Sequence, residues 1–236
     1  MAFSRKYVID TSLIDKNKRL RLSNLFVLFQ EVAEAHAETL GTGKANTTDV
    51  GLKWIITRYA IKFNCLPTYG EKVEVFTYPC KNNPFFFFRN FFIKDEQGNI
   101  IIRAASIWAV IDAKTNKIVT NPFKKPLPEE SFDFELATPE KIVEDVNNKV
   151  GEYHIKYSDI DLNGHVNNSR YIEMIQNLHD SEFYKNHEYD SLLINYFAEL
   201  KENDKVILYS NSANPEIIKG STLDKDSFKV IINYKQ

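Results

Sequence analysis

The 236-residue chain is 43% hydrophobic and 13% aromatic, enough apolar surface for a packed core and too much for a disordered chain. Its formal net charge of −2 removes the global basic field that nucleic-acid binding draws on, while leaving room for a local basic patch facing an acidic partner. Cys65 and Cys80 are too few for a disulfide framework and have no metal-ligand spacing around them, so both read as buried thiols in a reducing compartment.

In chain order, the start runs into a strand-like segment at 6–10 with no signal-peptide or transit composition, and no apolar run reaches transmembrane length. The expectation is a soluble, cytoplasmic protein without membrane or nucleic-acid partners. A polar turn at 15–19 precedes a helix over 22–40, where Leu25, Phe26, Leu28, Phe29, Val32, Ala33, His36, Ala37 and Leu40 recur at three- and four-residue steps. Ser23 or Asn24 can cap its start and Gly41 its end, and its broad apolar surface suits a helix wrapped by a sheet. His36 within it reads as a core or edge histidine. Strands follow at 53–63, 71–78, 84–94 and 100–111, separated by turns rich in Gly, Pro, Asn and Asp. The phenylalanines at 85–88, 91 and 92 suit sheet core or the wall of an apolar pocket; without a basic field they do not suit base stacking.

From 121 to 149 the composition becomes that of a linker, with Pro122, Pro126, Pro128 and Pro139. Beyond it come a strand at 152–157, a helix from Asn168 to about Phe183, and strands at 192–200, 205–210 and 227–234. The two halves therefore share one order of elements, and they also match by residue. Ser12, Asp15, Asn17 and Arg19 lie over Ser158, Asp161, Asn163 and His165, while Ile61 to Val73 lie over Ile194 to Val206. This is an internal duplication of one folding unit. The first copy carries Arg19 where the second has His165, and Leu66 where the second has Glu199. The second copy keeps the full set of titratable groups, whereas the first retains Asp15 and has replaced two of them, so chemistry belongs to the second.

Asp161, Asn163 and His165 stand at alternate positions between a strand and a helix, with Gly164 to permit a tight backbone and Asn167 or Asn168 to cap the helix. Residues of these types suit a polar site at a helix N-terminus, where free N–H groups favour an oxyanion. They equally suit a hydrogen-bonded turn that starts a helix. Asp159 reads as a turn residue. Glu199 is either a surface glutamate at a strand end or a member of the site.

The run Asp159-Ile160-Asp161-Leu162-Asn163-Gly164-His165-Val166-Asn167-Asn168, followed by Tyr171, resembles the active-site segment of acyl-acyl carrier protein (acyl-ACP) thioesterases. A looser form occurs in the wider class of hotdog-fold acyl-CoA thioesterases. Trp54-Ile55-Ile56-Thr57-Arg58 and Phe88-Arg89-Asn90-Phe91 resemble first-copy segments of the same family, so the resemblance covers both halves. It implies an α+β double hotdog: two tandem copies, each an antiparallel sheet wrapped around a long helix. Residues 1–120 would form an N-terminal hotdog with a degenerate site and much of the acyl pocket, 121–149 a linker, and 150–236 the catalytic hotdog. The absence of a transit segment favours a bacterial-type rather than a plastid form.

The implied activity is hydrolysis of acyl-ACP to free fatty acid during fatty-acid synthesis, with acyl carrier protein bearing an acyl phosphopantetheine as partner. The implied catalytic residues are Asp161, Asn163, His165 and Glu199. Asp161 would orient or activate the attack, Asn163 position substrate or water, His165 act as acid–base or orienting partner, and Glu199 activate water. Leu200 stands where plant members carry a cysteine, so no thiol acts from that position. No serine-nucleophile elbow and no His-Glu-x-x-His zinc motif is present, and neither a metal nor a nucleotide cofactor has sequence support. An acyl-CoA thioesterase and a non-catalytic acyl-binding module are the alternatives. A duplicated chain already supplies the pair that single hotdog units obtain by dimerising, so monomer and homodimer are both open.

Overall fold

The apolar stripe read at 22–40 forms α1 (Leu22–Thr39) in the computed structural model, which describes residues 2–235. Leu22, Leu25, Phe26, Leu28, Phe29, Val32 and Ala33 are buried on its inner face, each large side chain contributing about 1.5–3 kcal/mol of burial. Neither Ser23 nor Asn24 caps the helix. Arg21 occupies the N-cap position without a side-chain hydrogen bond, and the Ser23 N–H instead donates to Gln176 Oε1 of the other half at 3.3 Å. At the other end Gly41 adopts φ 70°, which lets the Thr42 N–H reach back to the Ala37 carbonyl.

Around α1 lie β1 (Phe3–Val8), β2 (Leu52–Phe63), β3 (Lys72–Pro79), β4 (Phe87–Lys94) and β5 (Ile100–Asp112). The second half contributes β6 (Lys149–His154), α2 (Asn168–Gln176), α3 (Ser181–Asn186), β7 (Tyr189–Tyr196), β8 (Lys205–Ser210), β9 (Glu216–Ser221) and β10 (Asp226–Tyr234). All strand pairs are antiparallel, and the ten strands form one sheet in the order β1-β3-β4-β5-β2-β7-β10-β9-β8-β6. The order reads as the same five-strand unit from either edge inward. Its pseudo-two-fold passes through the β2–β7 seam, where Ala60 faces Leu193, Arg58 faces Asn195 and Lys62 faces Ser191. This is a double hotdog with a continuous sheet.

The duplication extends to individual hydrogen bonds. In the first copy the Asp15 N–H donates to Arg19 O at 2.8 Å, Lys18 N–H to Asp15 O at 3.1 Å and Leu20 N–H to Pro67 O at 2.8 Å. In the second the Asp161 N–H donates to His165 O at 2.8 Å, Gly164 N–H to Asp161 O at 3.0 Å and Val166 N–H to Leu200 O at 3.0 Å. Lys18 and Gly164 both take positive φ, 61° and 76°, so the lysine accepts a left-handed conformation that the glycine adopts freely.

Several expected boundaries move. The helix expected from Asn168 to about Phe183 is two helices, because Asp180 caps a new one by accepting from the Phe183 N–H at 2.8 Å. The strand expected to reach Leu200 ends at Tyr196, and the segment after it leaves the ladder. The first strand starts at Phe3 rather than Lys6, and β9 falls where no strand is expected. The segment 121–148 crosses the sheet without regular structure. Asn195 pins it at the seam, its Oδ1 accepting from the Ile142 N–H at 2.9 Å and its Nδ2 donating to Glu140 O at 3.1 Å. Cys65 is exposed, not buried, and Cys80 is half-buried.

Candidate active site

The loop 158–166 is folded by its own polar groups. Asp161 Oδ1 accepts from the Asn163 N–H at 2.8 Å and the His165 N–H at 3.4 Å, and its Oδ2 accepts from Asn163 Nδ2 at 3.2 Å. In the first copy Asp15 Oδ1 accepts from the Asn17 N–H at 2.8 Å and the Arg19 N–H at 3.1 Å. The backbone bonds of Asp161 thus recur in a copy that carries no imidazole, which identifies them as the bonds that shape the turn. Asp159 is a buried turn residue, accepting from the Lys156 N–H at 2.8 Å and from the Tyr153 hydroxyl at 3.2 Å. Asn167 caps α2, its Oδ1 accepting from the Ser169 N–H at 2.9 Å.

The turn delivers His165 to Glu199. Nε2 of the imidazole lies 2.9 Å from Glu199 Oε2. A neutral His165 therefore carries its proton on Nε2, donates it to the carboxylate and keeps a lone pair on Nδ1. Burial, followed by the nearby Lys53 charge, pulls the imidazole below its ordinary 6.5, while the Glu199 charge opposes that shift. Of the four residues expected in the site, His165 and Glu199 are brought into direct contact. Asp161 and Asn163 bond to each other, and among the described residues their side chains make no hydrogen bond with the imidazole ring or with the Glu199 carboxylate.

Glu199 sits beyond the end of β7, in a short segment held from two sides. The Leu200 carbonyl accepts from the Val166 N–H, and the Leu200 N–H donates to the Tyr171 hydroxyl at 3.2 Å. The corresponding first-copy residues explain the second bond. Pro67 stands in the place of Leu200 and has no N–H to satisfy, and Leu25 stands in the place of Tyr171. In the second copy Tyr171 satisfies a buried donor and fixes the residue next to Glu199.

Two participants were not legible in the sequence. Lys53 Nζ lies 3.1 Å from Glu199 Oε1, reaching across from the first copy. Gln30 of α1 accepts from Asn167 Nδ2 at 3.4 Å; its counterpart in the second copy, Gln176, likewise reaches the opposite copy but accepts from the Ser23 N–H. The phenylalanine run divides between two roles. Phe91 and Phe92 are buried core, whereas Phe87 joins Trp54, Trp108 and Phe123 in an aromatic group continuous with Tyr59 and α1. A cavity of about 340 Å³ lies between the first-copy sheet and the linker, lined by Cys80, Phe88, Asn90, Ala105, Glu135 and Leu136 among others. None of Asp161, Asn163, His165 or Glu199 borders it.

The shared turn yields a paired test. Asp15→Ala and Asp161→Ala should each cost about 1–2 kcal/mol, the worth of one or two turn hydrogen bonds, read by urea unfolding. Only Asp161→Ala should slow a reaction run at this site, by about tenfold or more, because only its turn carries an imidazole. Equal, undiminished turnover in both variants would show that the turn does not position the chemistry.

Comparison with known proteins finds matches to both halves of the chain. The model for the acyl-ACP thioesterase N-terminal domain matches residues 1–122, and that for the C-terminal domain matches residues 143–233. A chloroplastic acyl-acyl carrier protein hydrolase, FATB3 of Cuphea viscosissima, is 26% identical over 86% of this chain and 53% of its own length. The chain spans about half the length of the curated relatives it matches first. The crystal structure of an acyl-ACP thioesterase from Bacteroides thetaiotaomicron superposes with a TM-score of 0.86 at 27% identity, covering 99% of this chain and 98% of that one. The 12:0-ACP thioesterase from Umbellularia californica shares the fold, with a TM-score of 0.81 at 17% identity over 99% of this chain and 97% of its own.

Proposed function

The chain belongs to the acyl-ACP thioesterase family, and from that membership we propose that it hydrolyses the thioester of acyl-ACP to release a free fatty acid. The observation that carries the reading is the contact between His165 Nε2 and Glu199 Oε2 at 2.9 Å, an imidazole and a carboxylate poised for general base chemistry. Water is deprotonated by Glu199 as it attacks the thioester carbonyl, and His165 orients the carboxylate through its Nε2–H. The Asn168 N–H, in the first turn of α2, makes no hydrogen bond among the described residues and is the donor left for the oxyanion. The departing thiolate, whose conjugate acid has a pKa near ~8.5, needs little help from a general acid. Asp161 holds the turn, and the exposed Asn163 flanks the entry of the phosphopantetheine arm.

The relatives' names support acyl carrier protein as the partner, and the acyl chain would lie along the aromatic group of Trp54, Phe87, Trp108 and Phe123 in the first copy. Release of free acid from matched panels of acyl-ACPs and acyl-CoAs tests the proposal. Preferential turnover of carrier-bound substrates is expected. Equal or faster turnover of CoA esters would reassign the substrate to the wider hotdog class, and tight acyl binding without release would make the protein a binding module.

A further inference from the structure

Lys53 stands at the start of β2, in the copy that has lost its own imidazole and carboxylate, yet its ammonium lies in the site of the other copy. It donates to Glu199 Oε1 at 3.1 Å and to Oε2 at 3.5 Å, and its hydrogen bonds among the described residues go to Glu199 alone. Only 12% of its side chain is exposed. A lysine withdrawn from water to that degree gives up hydration and rotamer entropy, which a paired carboxylate offsets. The ladder explains how it gets there. β2 is twelve residues long and pairs with β7 only from Arg58 to Lys62, so its first residues run on past the end of β7 alongside the segment that carries Glu199.

We propose that Lys53 is a positioning residue of the hydrolase. Its ammonium holds the Glu199 carboxylate in place across the seam between the copies and offsets that carboxylate's charge at His165. The inference rests on the hydrolase reading above. Glu199 thereby receives one donor from each copy, His165 on Oε2 and Lys53 on Oε1, which fixes the plane of the carboxylate. The other charged or titratable groups acting on the pair are Asp161 and Lys201 at His165, and the Tyr171 hydroxyl beside Glu199. Without Lys53, the attraction of Glu199 and Asp161 for an imidazolium is opposed by burial and by Lys201 but no longer by the ammonium beside the pair. The imidazole then protonates at a higher pH, and its partner carboxylate loses one of two anchors.

The test compares Lys53→Met and Lys53→Arg in the full chain by NMR titration of His165 and by kcat, KM and pH profiles on acyl-ACP. In Lys53→Met, His165 should titrate at higher pH than in the parent and the acid limb should move the same way. Its kcat should fall about tenfold with KM within about twofold, the signature of a misplaced base rather than a lost binding contact. Lys53→Arg should restore most of the rate and of the titration. An unmoved His165 titration overturns the proposal, as does a raised KM with kcat and acid limb intact, which would make Lys53 a contact for the carrier. The titration reads the electrostatics without turnover, so it still decides the matter if the chain proves not to hydrolyse acyl-ACP.

Discussion

Glu199→Gln should lower kcat for acyl-ACP hydrolysis by about a thousandfold, within the range that a positioned general base contributes. Glutamine has the shape of glutamate, so its Oε1 can still accept from Lys53 or His165; what it lacks is the charge and the capacity to take a proton from water. Glu199 is about one-third exposed, so the change should leave the melting temperature within a few degrees. His165→Ala should give a loss of similar size by removing the donor on Oε2, and the double variant should be little worse than either, because the two residues act as one unit. Retention of a tenth or more of parental kcat in Glu199→Gln, with the fold intact, would place the base elsewhere. Additive losses in the double variant would mean that the two side chains serve separate steps.

The second large effect concerns stability. Gly220→Ala should cost about 3 kcal/mol, at the upper end of what overpacking a core does, and lower the melting temperature by roughly 6–12 °C for a chain of this size. Gly220 lies opposite Phe228 in the β9–β10 ladder, and a Cβ placed on it would overlap the Phe228 ring at Cε1 and Cζ. Phe228 has no room to yield: it is fully buried and packs edge-on against Tyr171 at 5.4 Å. Tyr171 in turn holds the Leu200 N–H next to Glu199, so the overlap should reach the site and reduce turnover beyond the loss of folded protein. Gly220→Ala with Phe228→Leu should recover part of the stability, since the smaller side chain vacates the contested space. If Gly220→Ala melts within 2 °C of the parent, the β9–β10 packing described above is wrong.

The duplication was legible because it repeats whole residues: aspartate, asparagine and a third position in each turn, spaced alike, with the following strands in the same order. The duplication marked His165 and Glu199 as groups the first copy lacks, with Arg19 and Leu66 in their places, but only the resemblance of the segment to a known family put the two in one site. What stayed hidden depended on packing. Ile217 and Ile218 of β9 are followed by Lys219 and Gly220, a weak strand signal, and the glycine is explained only by the ring of Phe228 beside it. The break between α2 and α3 turned on Asp180, whose carboxylate could equally have pointed to solvent from one long helix. Lys53 looked like any lysine at the start of a strand. Nothing local distinguishes it, because its partner lies 146 residues away and meets it only once the two copies share a sheet.

A homodimer obeys its own symmetry: a substitution in one subunit appears in the other, and a change that spoils one active site spoils both. Joining the two copies through the 121–148 segment lifts that constraint, and the differences on either side of the β2–β7 seam record how the freedom was used. Arg19 stands where the second copy has an imidazole, Leu66 where it has a carboxylate and Pro67 where it has an N–H donor, while Lys53 of the first copy reaches Glu199 of the second. The first copy, which lacks the imidazole–carboxylate pair, is therefore free to differ from the second in ways that a symmetric dimer forbids.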